Sequence, residues 1–131
     1  MKVVKIKIKK LTAIGFERKK QQVNLQRKFK TFCKAFKLPV PECEHTIEGW
    51  KDKRSYKADF AFPEVKLVVE IEGGHFSRTS GHSGGKAIRK DIKRFNLLTE
   101  LGWAYLRYPF SKDCKLVDFE QIKNVYELNK M

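Results

Sequence analysis

With 131 residues and 15.4 kDa the chain has the length of one domain, and 41% hydrophobic residues suffice for a core, which argues against a disordered tail or a fibre. Lys and Arg total 29 against 15 Asp and Glu, a formal +14. Residues 1–40 hold 13 basic residues and one acid, Glu17, while residues 41–131 hold 16 and 14, so +12 of the excess lies in the first 40 residues. A basic segment on a nearly neutral body points to a polyanionic partner. No apolar run approaches the ~18 residues of a membrane span, and the basic start lacks the apolar stretch of a secretory signal. The three cysteines, Cys33, Cys43 and Cys114, contain no C-x-x-C, so no disulfide framework and a reduced, cytoplasmic setting are expected.

Taken in chain order, residues 2–9 (Lys-Val-Val-Lys-Ile-Lys-Ile-Lys) alternate basic and β-branched residues over their second half, the pattern of a half-buried strand with lysines on its wet face. Residues 18–36 read as a helix with Val23, Phe29, Phe32, Ala35 and Phe36 at roughly helical spacing. Leu38-Pro39-Val40-Pro41 stops it, since a residue before proline leaves the α region. Strands are expected at 45–50, 56–62 and 66–72, the last two joined by the short connection Phe62-Pro63-Glu64-Val65. Residues 73–85 carry five glycines and two histidines without periodicity and read as an exposed loop. A helix over 86–101 should bury Ile88, Ile92, Phe95 and Leu98 and end before Gly102. A strand at 103–108 and a helix at 117–129 complete one domain over 1–131. Within it, 1–40 form a basic strand–helix arm and 41–131 the core.

Along residues 66–72 side chains alternate, so Leu67, Val69 and Ile71 face one way and Val68, Glu70 and Glu72 the other. A tight hairpin sets Asp59 opposite or diagonal to Glu70. Three acids on a partly buried sheet repel one another. A hard divalent cation offsets that cost, and Mg²⁺ is usually held through few carboxylates together with waters and substrate phosphate oxygens.

From Tyr56 through Asp59 to Glu70-Ile-Glu72-Gly-Gly the chain resembles the metal-binding hairpin of PD-(D/E)xK nucleases. The similarity is closest to small phage and bacterial endonuclease-like proteins related to very short patch repair endonucleases and Holliday-junction resolvases. It continues through His82, Gly84-Gly85, Asp91, Arg94 and Asn96 to Gly102-Trp103-Ala-Tyr-Leu-Arg107, covering about residues 22–110. The resemblance implies an α/β (α+β), restriction-endonuclease-like αβββαβ core: a mixed sheet flanked by helices, here with the extra N-terminal basic strand. It implies Mg²⁺ or Mn²⁺ on Asp59 and Glu70 and a metal-dependent DNA endonuclease, structure-selective in nicking or in cutting junctions and flaps.

Glu72 departs from the lysine of the family motif and cannot supply its positive charge. Glu72 is expected to join Asp59 and Glu70 as a metal ligand, and a lysine of the following helix, Lys90 before Lys86, to take the cationic role. In related repair endonucleases a histidine near this region assists catalysis, which brings in His82, the better motif match, and His75, nearer the acids. Lys5, Lys7, Lys9, Arg18, Lys19, Lys20, Arg27, Lys28, Arg78, Arg89 and Arg94 are the expected phosphate contacts. Two alternatives stay open: a resolvase acting as a homodimer, and a basic nucleic-acid binder without enzymatic activity.

Overall fold

The computed structural model describes residues 2–52, 55–73 and 85–131, and for residues 2–14 the backbone alone. Its elements are α1 (Lys2–Ala35), β1 (Glu42–Thr46), β2 (Lys57–Phe62), β3 (Leu67–Glu72), α2 (Gly85–Glu100), β4 (Ala104–Pro109) and α3 (Phe119–Lys130). The strands form one mixed sheet in the order β1-β2-β3-β4, antiparallel except for the parallel β3–β4 pair. This is an α+β fold with a four-stranded sheet flanked by three helices, and it has the expected αβββαβ order. Among the described residues no helix is long and apolar enough to cross a membrane.

Strand β3 organises both layers. Leu67, Val69 and Ile71 join Phe60 and Phe62 of β2 in a cluster closed by Leu25, Phe29 and Cys33 of α1 and by Phe119, Ile122 and Tyr126 of α3. Val68, on the other face, packs with Ile47, Tyr56, Ala58, Ala61 and Leu98 of α2. Thus α1 and α3 cover one face of the sheet and α2 the other. The alternation expected along residues 66–72 is observed, as is the hairpin, which turns through a short 3₁₀ segment at Pro63–Val65 and Lys66 in the left-handed region (φ 50°). The end of α2 is also as expected: Gly102, at φ +83°, lets Trp103 N–H reach Leu98 O at 2.8 Å and Gly102 N–H reach Thr99 O at 3.0 Å.

Three expectations are corrected. Residues 2–9 belong to α1 and form no strand. The stretch 2–35 contains no proline and a single glycine, so a helix nucleated downstream propagates through it at little cost, and a short alternating run without a strand partner does not compete. Helix α1 enters the core from Leu25 onward, where the Phe29 ring stacks on Phe60 with centroids 3.8 Å apart. The buried row of α1 is Leu25, Phe29 and Cys33, spaced by four, while Val23 is exposed.

In α2 the expected apolar stripe Ile88–Ile92–Phe95 is exposed, with Leu98 alone of the four buried. The helix instead turns the row Ala87, Asp91, Arg94 and Leu98 inward. Its first turns lie over the part of the sheet that carries carboxylates, where a charged row fits better than an isoleucine row.

Phe29 is fully buried, so Phe29→Ala is expected to lower stability by about 3–5 kcal/mol. Phe16→Ala, at an exposed position of the same helix, should change it by less than ~0.5 kcal/mol. Urea unfolding of both variants measures the contrast.

Candidate active site

Asp59 and Glu70 occupy facing strands. The ladder pairs Phe60 with Val69, and one further step along it sets Asp59 opposite Glu70 on the face shared with Val68. Their contacts are reciprocal: Ile71 N–H donates to Asp59 Oδ2 at 2.9 Å, and the Asp59 backbone hydrogen-bonds the Glu70 carboxylate. The Tyr56 hydroxyl also donates to Glu70 Oε1. Tyr56 is itself held between the Trp50 ring, 4.8 Å away, and the Arg94 guanidinium, 5.0 Å from its centroid.

Glu70 is the one buried charged residue among those described. Burial pushes its carboxyl up to about 7, against the pull of Arg94 and the Asp59 backbone, and Glu72 adds to the rise. Burial likewise pushes Asp59 up to about 6, opposed by the Ile71 N–H and by Arg94. Two neighbouring carboxyls therefore hold protons well above the usual carboxylate range.

Glu72 follows on β3, half-buried, and its Oε1 lies 2.7 Å from Arg107 Nη2. Arg107 comes from β4, where the parallel register pairs it with Glu70. Its Nη2 is also 3.4 Å from Asp91 Oδ2, and its Nε donates to the Tyr105 hydroxyl at 3.0 Å. Asp91 links the two arginines, since its Oδ1 lies 3.8 Å from Arg94 Nη1, which in turn is 4.0 Å from Glu70 Oε1. Asp91 Oδ1 is buried without a hydrogen-bond partner among the described residues. The resulting chain of charges runs Glu70, Arg94, Asp91, Arg107, Glu72 across three elements.

Of the expected site residues, Asp59, Glu70 and Glu72 share this face. Among the described residues, however, no three His, Cys, Asp or Glu side chains are gathered closely enough to hold a metal ion, and Glu72 is turned to Arg107. Lys86 and Lys90 are exposed on α2. The helix brings Asp91 and Arg94 to the carboxylates, so Arg94 has carboxylate neighbours within the protein. Lys28 is likewise taken up, by an ion pair with Asp113. Arg18, Lys19, Lys20, Arg27 and Arg89 are exposed. His75, His82 and Arg78 lie outside the described residues, as do the side chains of Lys5, Lys7 and Lys9.

Sequence reasoning gave Tyr56 and Arg107 no role and left Asp91 as a mere motif position. A signal for Asp91 was present: it is the single acid in residues 85–99, among Lys86, Arg89, Lys90, Lys93 and Arg94. An acid in such a row needs a reason to stay, and the two arginines that Asp91 faces, Arg94 and Arg107, supply one. Arg107 follows only once β4 is known to run parallel to β3.

Asp59 and Glu70 fit a hard divalent cation by donor type and by their unmet negative charge, and two carboxylates are a usual protein share for Mg²⁺. No family model matches the chain, and no curated protein or solved structure matches it. The functional assignment accordingly rests on these residues.

The raised carboxyls fix a sign for pH dependence. Folded Asp59 and Glu70 keep protons that the unfolded chain loses near 3.8 and 4.5, so their stabilising contribution is complete below those values and is lost as pH rises through about 6 and 7. The melting temperature of the protein should fall more steeply between pH 4.5 and pH 7 than that of the double variant Asp59→Asn/Glu70→Gln. Parallel curves would show that neither carboxyl is perturbed.

Proposed function

We propose that the protein is a metal-dependent endonuclease that hydrolyses phosphodiester bonds of DNA, with Asp59 and Glu70 holding Mg²⁺ or Mn²⁺. The observation that carries this reading is the pair of facing carboxyls, Glu70 buried and Asp59 partly buried, whose proton affinity burial has raised and whose charge Arg94 offsets only in part. A structural ion pair would be balanced within the protein. This pair is left for an external cation, and its neighbourhood of basic residues suits a polyanion.

The cation, when bound, supplies Lewis-acid polarisation of the phosphate and activation of the attacking water. The chain's own residues do the rest. Asp59 is oriented by the Ile71 N–H, and Glu70 by Tyr56 and by the Asp59 backbone. Arg94 and Arg107 stand beside the carboxylates, where negative charge grows on the phosphoryl oxygens in the transition state. Water oxygen bonds to phosphorus as the P–O ester bond breaks; the water proton passes to solvent, and the departing oxygen takes one up. Along α1, the exposed Arg18, Lys19, Lys20 and Arg27 extend a positive track suited to the phosphate backbone.

A second reading, a basic nucleic-acid binder without chemistry, is favoured by Glu72 and Asp91 already being paired with arginines. Nicking of supercoiled plasmid in Mg²⁺, Mn²⁺ or EDTA separates the two. The endonuclease reading expects metal-dependent nicking that falls at least ~100-fold in Asp59→Asn and in Glu70→Gln, with gel-shift affinity for DNA retained. Binding in EDTA with no nicking in either metal returns the binder, and cleavage of RNA alone would reassign the substrate.

The basic track has its own test. Replacing Arg18, Lys19, Lys20 and Arg27 by Gln should flatten the plot of log affinity against log salt by about 0.9 for each DNA phosphate that these side chains neutralise. An unchanged slope would remove α1 from the interface.

A further inference from the structure

Glu72 is the site carboxylate in closest contact with an arginine. Arg107 Nη2 lies 2.7 Å from Glu72 Oε1 and 3.4 Å from Asp91 Oδ2, while Nε–H is fixed by the Tyr105 hydroxyl at 3.0 Å. The Tyr105 ring lies under the same guanidinium, 5.6 Å from centroid to Cζ. Three side chains from β3, α2 and β4 thus set the plane and direction of one arginine. A residue serving only as a surface counterion would not need that many restraints, because exposed pairs gain little from a fixed geometry.

The contacts among the described residues engage Nε and Nη2 and none involves Nη1. The Arg107 side chain is 37% exposed, against 26% for Arg94, which is also committed to Glu70, Asp91 and the Tyr56 ring. Of the two site arginines, Arg107 is therefore the more open to a ligand. With Nε and Nη2 engaged, Nη1 still carries two N–H groups that can donate to phosphate oxygens.

We infer that Arg107 is the cation that meets the non-bridging oxygens of the scissile phosphodiester, and that Glu72 is its positioning residue and not a metal ligand. The inference rests on the endonuclease reading and deepens it by assigning the positive charge that Glu72 itself lacks. Lys86 and Lys90, exposed on α2, are then dispensable for the chemistry. Asp91 has the same holding function from the opposite side, with Arg94 as its second partner.

The test compares Glu72→Gln, Arg107→Gln, Arg107→Lys and the double variant Glu72→Gln/Arg107→Gln in Mn²⁺-dependent nicking, each with a melting curve to establish folding. Mn²⁺ binding is read separately from the electron paramagnetic resonance signal of free Mn²⁺, on protein bound to a phosphorothioate DNA that resists cleavage. Arg107→Gln should lower kcat by about 100-fold or more, with KM for DNA and Mn²⁺ affinity within about threefold of the parent. Arg107→Lys should recover part of that loss. Glu72→Gln should lower kcat by about tenfold without shifting Mn²⁺ affinity, and the double variant should be no worse than Arg107→Gln alone, because residues that act as a unit are not additive.

The inference is overturned if Glu72→Gln weakens Mn²⁺ binding tenfold or more, or if Arg107→Gln leaves kcat unchanged. Failure of the underlying reading looks different: the parent protein binds no Mn²⁺ in the presence of DNA, or binds it equally well as Asp59→Asn, and nicks nothing. If Arg107→Gln does not fold, Arg107→Lys carries the decision, since a holder–cation pair requires its kcat to fall while Mn²⁺ affinity stays.

Discussion

Strand β3 is covered on both faces, by α1 and α3 on one and by α2 on the other, and yet two of its last three residues are glutamates. That conflict between burial and charge determines the surrounding structure. Glu70 is drawn into a medium where its ionised form is costly, and the groups that approach it answer that cost in part: the Tyr56 hydroxyl, the Asp59 backbone and the Arg94 guanidinium. The rotation of α2 has the same origin, since a helix lying over carboxylates presents Asp91 and Arg94 to the sheet and leaves Ile88, Ile92 and Phe95 outside.

The charges of the site are close to a balance that the protein alone does not complete. Asp59, Glu70, Glu72 and Asp91 face two guanidiniums, Arg94 and Arg107. With all four acids ionised, one divalent cation brings the formal charge to zero. Burial is the main cause of the raised Asp59 and Glu70 carboxyls, and the neighbouring Glu72 adds to it. Glu72 and Asp91 share Arg107, so Asp59 and Glu70 are the carboxyls that the proposed endonuclease reading assigns to a cation.

Much of this was legible in the sequence, for identifiable reasons. The two-residue period of residues 66–72 assigned faces correctly, the Pro63-Glu64 connection set the register that brings Asp59 to Glu70, and Gly102 marked the end of α2. These are local signals, and they survive tertiary packing. What misled was of the same local kind with nothing global to support it. The Lys-Ile alternation of residues 2–9 had no strand partner and was absorbed by a long helix, and the isoleucine stripe of α2 was the apolar face of a helix whose sheet-facing side is set by carboxylates on another element. Tyr56 and Arg107 became visible only through neighbours distant in sequence: Glu70 is 14 residues from Tyr56 and pairs with Arg107 across a parallel ladder.

The central claim, that Asp59 and Glu70 are kept short of positive charge for a divalent cation while Glu72 is kept for an arginine, is tested most directly by anomalous diffraction. Crystals of the protein with an uncleavable DNA duplex would be soaked in Mn²⁺. The account predicts an anomalous peak bonded to carboxylate oxygens of Asp59 and Glu70, with Arg107 still seated on Glu72. A peak ligated by Glu72 with Arg107 displaced, or no peak at Asp59 and Glu70 at saturating Mn²⁺, would contradict it.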